Sequence, residues 1–215
     1  MPRAKKRFYE IAPGWPGGAD AVVDVDGWCD GLTTSMTFEA LEAYDGKKLA
    51  AGGTLRTKPR TIPDLIHVVG YTPIVTSTFK SVLETHAPGE AEFRIFALRW
   101  KDGTPVPGTR YYCNILNRID CLDLAIVGKK RPEAPTVSPS GKPLTPEESW
   151  HREGSTDFIV FGADYIDPDM VGNFHIWRPR WQALNIFVTS KLLKALKDAG
   201  VKGLRTRRLS TRDDP

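Results

Sequence analysis

The sequence predicts an α+β fold made mainly of antiparallel strands, with two similar strand–helix–strand units and a Pro-rich surface loop. Three observations carry that prediction. Short runs rich in β-branched and aromatic residues recur between turn-forming residues, as strands do. Two segments show the 3–4 residue apolar spacing of a helix behind a Thr-Ser pair suited to capping it. Those two segments also match each other: Ile74-Val75-Thr76-Ser77 parallels Phe187-Val188-Thr189-Ser190, and Leu83 then parallels Leu196. Each is followed by a glycine turn (Gly89; Gly200) and a further strand, Phe93 to Leu98 or Leu204 to Leu209. A unit of this kind buries its helix against its own strands, which is the α+β solution.

Taken in order, the strands fall at Phe8–Ile11, Ala21–Val25, Ile66–Val69, Glu92–Trp100, Arg110–Leu116, Asp157–Phe161, Asn173–Arg178 and Leu184–Val188. Lys101-Asp102-Gly103-Thr104 contains a turn dipeptide, so Glu92–Trp100 and Arg110–Leu116 pair as a hairpin. The alternation of the second strand puts Tyr111, Cys113 and Ile115 on one face and Tyr112, Asn114 and Leu116 on the other. The helix at Ser77–His86 turns Phe79, Val82 and Leu83 inward behind a Thr76 or Ser77 cap. The helix at Ser190–Ala199 buries Leu192, Leu193, Leu196 and Ala199 and sends Lys191, Lys194 and Lys197 to water, with Gly200 at its end. A shorter helix spans Phe38–Tyr44 and stops at Gly46. Gly14–Gly18 and Ala50–Arg60 read as loops. So does 128–149, where Pro132, Pro135, Pro139, Pro143 and Pro146 recur among Ser, Thr and Lys; a plain exposed connection is favoured there over an SH3-type ligand.

Residues 1–215 suit a single domain, able to bury roughly 70% of its unfolded surface without disulfides or metal. The 40% hydrophobic and 26% charged content excludes a disordered chain. No apolar run approaches the ~20 residues of a membrane span. The basic start, Met1 to Arg7, leads into Phe8-Tyr9-Glu10 rather than the apolar core of a signal peptide, so the expectation is a cytoplasmic protein with no membrane partner. Three cysteines (Cys29, Cys113, Cys121), with no C-x-x-C, fit neither a disulfide framework nor a zinc site.

No catalytic constellation emerges. His67, His86, His151 and His175 form no metal-ligand spacing, and no phosphate-binding or nucleophile-elbow motif is present. Asp24-Val25-Asp26-Gly27 fails as a calcium loop because Trp28 stands where the third oxygen ligand belongs. The expectation is a non-enzyme without metal or cofactor. The rival is a Cys113 or Cys121 nucleophile working with a distant histidine. A second rival is a nucleic-acid binder using the basic ends, Arg3-Lys5-Lys6-Arg7 and Lys202, Arg205, Arg207, Arg208, Arg212. The acidic stretches oppose it, so no direct nucleic-acid contact is expected.

Charge is segregated along the chain. Phe8 to Gly46 holds eight acids and no Lys or Arg; Glu153 to Trp177 holds five acids and again no Lys or Arg. Half of the 26 carboxylates thus fall in two windows, leaving all 30 basic residues outside them. An acidic face and a basic remainder would each steer a partner of opposite sign, unless folding interleaves the two sets.

From Tyr71 onward, Tyr71-Thr72-Pro73-Ile74-Val75-Thr76-Ser77, the run from Asn114 to Asp123, Phe174-His175-Ile176-Trp177, Ile186 to Leu192 and the closing Leu196-Lys197-Asp198-Ala199-Gly200-Val201-Lys202-Gly203-Leu204-Arg205 form a familiar series. It resembles a bacterial family, first catalogued as a domain of unknown function, of immunity proteins of polymorphic toxin systems, whose best-known members are myxobacterial. The resemblance is strongest over 70–209, and Phe8-Tyr9-Glu10 is also similar. It implies an α+β protein encoded beside a toxin gene that binds and blocks the toxin, often an HNH-like nuclease. It supplies no list of contact residues. The candidates for toxin binding, Asp20, Asp24, Asp26, Asp30, Asp164, Asp167 and Asp169, rest on charge alone, as mimics of nucleic acid; turn or solvated-face chemistry is the competing reading of each. Trp15 and Trp28 are candidate aromatic anchors, with core burial as the alternative.

Overall fold

The computed structural model describes residues 6–13, 23–26, 51–55, 62–67, 73–122, 143, 165–179 and 185–211. The Gly14–Gly18 loop, the Phe38–Tyr44 helix, the Asp157–Phe161 strand and all of the Pro-rich 128–149 segment but Pro143 lie outside them. The fold is α+β and mostly antiparallel.

One six-stranded sheet contains β2 (Val23–Val25), β3 (Gly52–Leu55), β4 (Leu65–His67), β5 (Pro73–Thr76), β6 (Ala91–Arg99) and β7 (Arg110–Ile115), in the order β2-β3-β6-β7-β5-β4. A five-stranded sheet contains β1 (Phe8–Pro13), β8 (Arg118–Ile119), β10 (Ile176–Pro179), β11 (Ile186–Thr189) and β12 (Leu204–Arg208), in the order β12-β1-β11-β10-β8. β9 (Tyr165–Ile166) and β13 (Ser210–Thr211) form a separate parallel pair. The helices are α1 (Ser77–His86), the single turn α2 (Pro168–Val171) and α3 (Ser190–Asp198).

β5–α1–β6 and β11–α3–β12 follow the same path. In the first, β7 runs antiparallel between β5 and β6; in the second, β1 runs antiparallel between β11 and β12. β4 flanks β5 as β10 flanks β11, both antiparallel. The central strand of the first arrangement follows its helix in sequence, whereas that of the second comes from the other end of the chain. Both helices start the same way. The Thr76 hydroxyl accepts from Phe79 N and the Thr189 hydroxyl from Leu192 N (3.4 and 3.3 Å), satisfying a donor the helix cannot. The apolar faces then converge. Phe79, Val82 and Leu83 of α1 and Leu192, Leu193 and Leu196 of α3 share one core with Ile11, Leu65, Val75, Cys113, Ile115, Ile176, Ile186 and Val188 from both sheets.

Reciprocal contacts tie the halves together. The Glu90 carboxylate, in the turn after α1, accepts from His175 N, Ile176 N and Asn117 Nδ2 (2.9, 3.0 and 3.0 Å). In the turn after α3, Lys202 N donates to Asp64 Oδ2 at 2.6 Å, and Asp64 N donates to Lys202 O. In each case the turn after one helix holds the residue ahead of the first strand of the other half. Gly203 occupies that second junction at φ +69°, with Pro63 packed where its side chain would stand.

Each sheet buries its other face as well. Ile66, Ile74, Phe96 and Tyr112 cluster with Val23, Leu55, Leu98 and Val106. Phe8, Trp177 and Phe187 stack edge-to-face against Ile119, Cys121, Leu122, Ile166 and Val171.

Several elements differ from expectation. Gly52–Leu55, read as loop from its paired glycines, is a strand buried between β2 and β6. The glycine is there because a β-carbon on Gly52 would overlap the Ala97 carbonyl of β6. The strand expected from Asn173 begins only at Ile176, because Pro168–Val171 makes a helical turn and Gly172 (φ 60°) redirects the chain. The Lys101–Thr104 turn holds as expected: Gly103 N donates to Trp100 O and Trp100 N to Thr104 O, while β6 and β7 pair in antiparallel register.

Candidate functional site

The structure describes only part of the acidic candidate site. Trp15, Asp20, Trp28, Asp30 and Asp164 lie outside the described residues. Asp24 takes its place in β2 opposite Thr54. Asp26 follows at the strand's end, where its backbone N–H donates to Gly52 O and its two carboxylate oxygens accept from Arg99 Nη2 (2.6 and 2.5 Å). Both side chains are more than a third exposed, so the pair contributes no more than about 1 kcal/mol. It leaves Asp26 with a cation already beside it. Asp167 caps α2, accepting from Asp169 N at 3.0 Å, and Asp169 stands exposed in that first turn. These two acids therefore hold local structure at the β9–α2 junction, while Asp24 and Asp26 belong to the six-stranded sheet.

The thiols are inert by placement. Cys113 is fully buried in the shared core and Cys121 lies beneath Trp177, whose indole N–H donates to its sulfur (3.2 Å). Burial pushes both thiols up to about 12, opposed at Cys113 by the charge of Arg178 and at Cys121 chiefly by the Trp177 hydrogen bond. A thiol that is protonated and inaccessible at neutral pH is not a nucleophile. Burial also raises Tyr112, with Asp26 adding to the shift, and lowers Arg110, with Asp64 opposing it. Both are core consequences. Among the described residues no three His, Cys, Asp or Glu side chains come together in a way that could hold a metal ion. No helix of the described residues is long and apolar enough to cross a membrane.

The two basic ends fold into neighbouring strands, with Arg208 opposite Tyr9 in the β1–β12 register. Arg205, Arg207 and Arg208 lie along β12, the edge of the five-stranded sheet, where Arg207 pairs with Glu10 of β1 (2.8 and 2.5 Å). Lys6 and Arg7, just ahead of β1, instead border a cavity of about 400 Å³. Its other walls are the Gly172–His175 turn and Thr189–Lys191 at the start of α3. Lys6 Nζ donates to Gly172 O (2.8 Å) and Ser190 N to Arg7 O (2.9 Å), linking the three walls. Sequence reasoning missed this cavity because one wall, Lys6–Phe8, lies at the other end of the chain from the other two, with Lys6 and Gly172 166 residues apart. The nearest signal was the Lys-Lys-Arg run immediately before a strand.

The two Thr-capped helices and the run from Asn114 to Leu122 lie within the span 47–211, which matches the model of the immunity protein family Imm11. The chain belongs to the Imm11 immunity protein family. No curated protein matches it. The Imm11 span leaves out β1 and β2, although β1 is the strand that joins β11 to β12. Two of the walls of the cavity, the Gly172–His175 turn and the start of α3, are therefore Imm11 elements, and the third comes from outside the matched span.

Proposed function

We propose that this Imm11 protein binds and neutralises a cognate polymorphic toxin, a nuclease encoded beside it, by stoichiometric inhibition in the cytoplasm rather than by catalysis. The observation that carries the reading is the family match across residues 47–211. The charge pattern supports the choice of toxin. A nuclease presents cationic groups to phosphate, and the acid-rich windows at Phe8–Gly46 and Glu153–Trp177 offer it carboxylates instead. Asp20, Asp24, Asp26, Asp30, Asp164, Asp167 and Asp169 are the proposed contacts, with Trp15 and Trp28 as anchors.

The test is a binding titration against a catalytically dead form of that toxin at several salt concentrations. One-to-one binding that weakens with salt is expected. Reversing Asp24 and Asp26 to lysine is expected to slow association by tenfold or more; loss of the Asp26–Arg99 pair, more than a third exposed, costs no more than about 1 kcal/mol. Absence of binding to a folded toxin would refute the reading. Binding unaffected by the double reversal would remove the first acidic window from it.

A further inference from the structure

The cavity ahead of β1 differs from its surroundings in charge and shape. Lys6, Arg7 and Lys191 stand exposed around it, and none of its lining residues is acidic. Lys6 spends one N–H on a carbonyl, which neutralises no charge. An apolar ring stands among these cations: Phe174 remains 43% exposed at the cleft's edge, with Met170 of α2 at 50% nearby in the chain. His175, from the same lining, buries Nδ1 with no hydrogen-bond partner among the described residues, whereas buried polar atoms ordinarily have one.

The other half of the fold closes the corresponding place. Opposite the capping Thr76 stands Arg110, as Phe8 stands opposite the capping Thr189. Arg110 is buried and donates to Pro63 O (3.1 Å), so a guanidinium of the chain itself fills that end. The two halves share strand placement and helix caps, yet at this end the second carries a cleft rimmed by cations.

Cations around an exposed aromatic ring select an anion carried on an apolar chain. A free inorganic anion would answer the charges and leave Phe174 uncovered. We propose that this cleft receives an acidic, apolar-flanked segment of the cognate toxin, its carboxylate between Lys6, Arg7 and Lys191 and its apolar neighbour against Phe174. The inference rests on the toxin-binding reading and adds to it a contact of the opposite sign. Acidic windows alone attract a basic partner; a cationic cleft taking an acidic segment at a second place fixes its orientation.

The experiment titrates the inactive toxin against the unmodified protein, Lys191→Glu and Phe174→Ala, with a urea unfolding curve for each. Both side chains are solvent-facing, and the unfolding midpoints are expected to stay in place. Each substitution is expected to weaken binding at least tenfold. If the unmodified protein binds and both variants bind as tightly, the cleft is not a toxin contact and the proposal falls while the immunity reading stands. If the unmodified protein does not bind, both fall. Inorganic phosphate is the control for a small-anion site. A phosphate-dependent rise in the unfolding midpoint of the unmodified protein, lost in Lys191→Glu with toxin affinity unchanged, would overturn the proposal in favour of a free anion.

Discussion

Replacing Phe8 by alanine tests the least obvious feature of the architecture, the use of the N-terminal strand as the middle strand of the second half. Phe8 is fully buried, meets the Trp177 ring edge-to-face at 5.6 Å, and lies in the one strand that pairs with both β11 and β12. Truncating a buried phenylalanine costs about 3–5 kcal/mol, combining lost transfer energy with the cavity left behind. The Trp177 contact places Phe8 toward the upper part of that range, since edge-to-face pairs add about 0.5–1.5 kcal/mol beyond area. With a urea m-value of about 2–3 kcal/mol/M, the midpoint falls by roughly 1–2 M. Against a total stability of about 5–15 kcal/mol the variant remains measurable. The assay is urea unfolding followed by tryptophan fluorescence, to which Trp177 contributes as one of six tryptophans, and by circular dichroism. A loss below about 1 kcal/mol would mean that β1 does not close the five-stranded sheet, and the matching placement of β7 and β1 would fall with it.

Two further outcomes follow from single groups. Glu90→Ala removes the acceptor of two backbone N–H groups at the junction of the halves, while the Asn117 amide keeps Ile176 O; at about 1–3 kcal/mol for each of the two donors left unsatisfied, a loss of about 2–6 kcal/mol in urea unfolding is expected, and a loss under 1 kcal/mol would contradict the junction. Alkaline pH is expected to destabilise the fold through the thiols. Each is an acid whose folded pKa stands at about 12 against an ordinary value of 9.0, so the native state keeps its proton while the unfolded chain gives it up. Stability is at its full value below pH 9 and falls by about 1.4 kcal/mol per thiol for each unit as pH rises toward 12. Cys113→Ala halves that slope in urea midpoints taken between pH 9 and 10, below the range in which the buried Tyr112 hydroxyl adds its own loss, and an unchanged slope would refute the assignment.

What the sequence revealed follows the range of the forces involved. Thr76 and Thr189, with apolar residues at helical spacing behind them, are read within one turn of chain, and α1 appears at the residues read for it. The β6–β7 hairpin is equally local, since a turn dipeptide and two alternating runs suffice. β3 was missed because its signal is an absence. Glycine weakens strand propensity, and only the neighbouring Ala97 carbonyl explains why glycine is required. β1 was legible as a strand, but its partners are almost two hundred residues away, and periodicity carries no information on which strands meet. The acidic candidates show the same limit. Linear segregation of charge is plain in the sequence, yet Arg99 from outside the first window folds onto Asp26 inside it, and Asp167 is engaged by its own helix turn.

The interdependence of the halves bears on how an immunity protein of this build can evolve to new partners. Strand placement, Thr caps and the junctions at Glu90 and Asp64 constrain one another across the shared core, so a change at any of them is felt on both sides. Lys6 and Arg7, ahead of β1, and Gly172–Phe174 after α2 are held more lightly. Lys6 donates to Gly172 O there, and all five residues are solvent-facing. A charge altered at Lys6, Arg7 or Lys191 therefore touches no core side chain. That freedom suits the proposed role of the cleft, since the charge around it can change while the fold stays fixed.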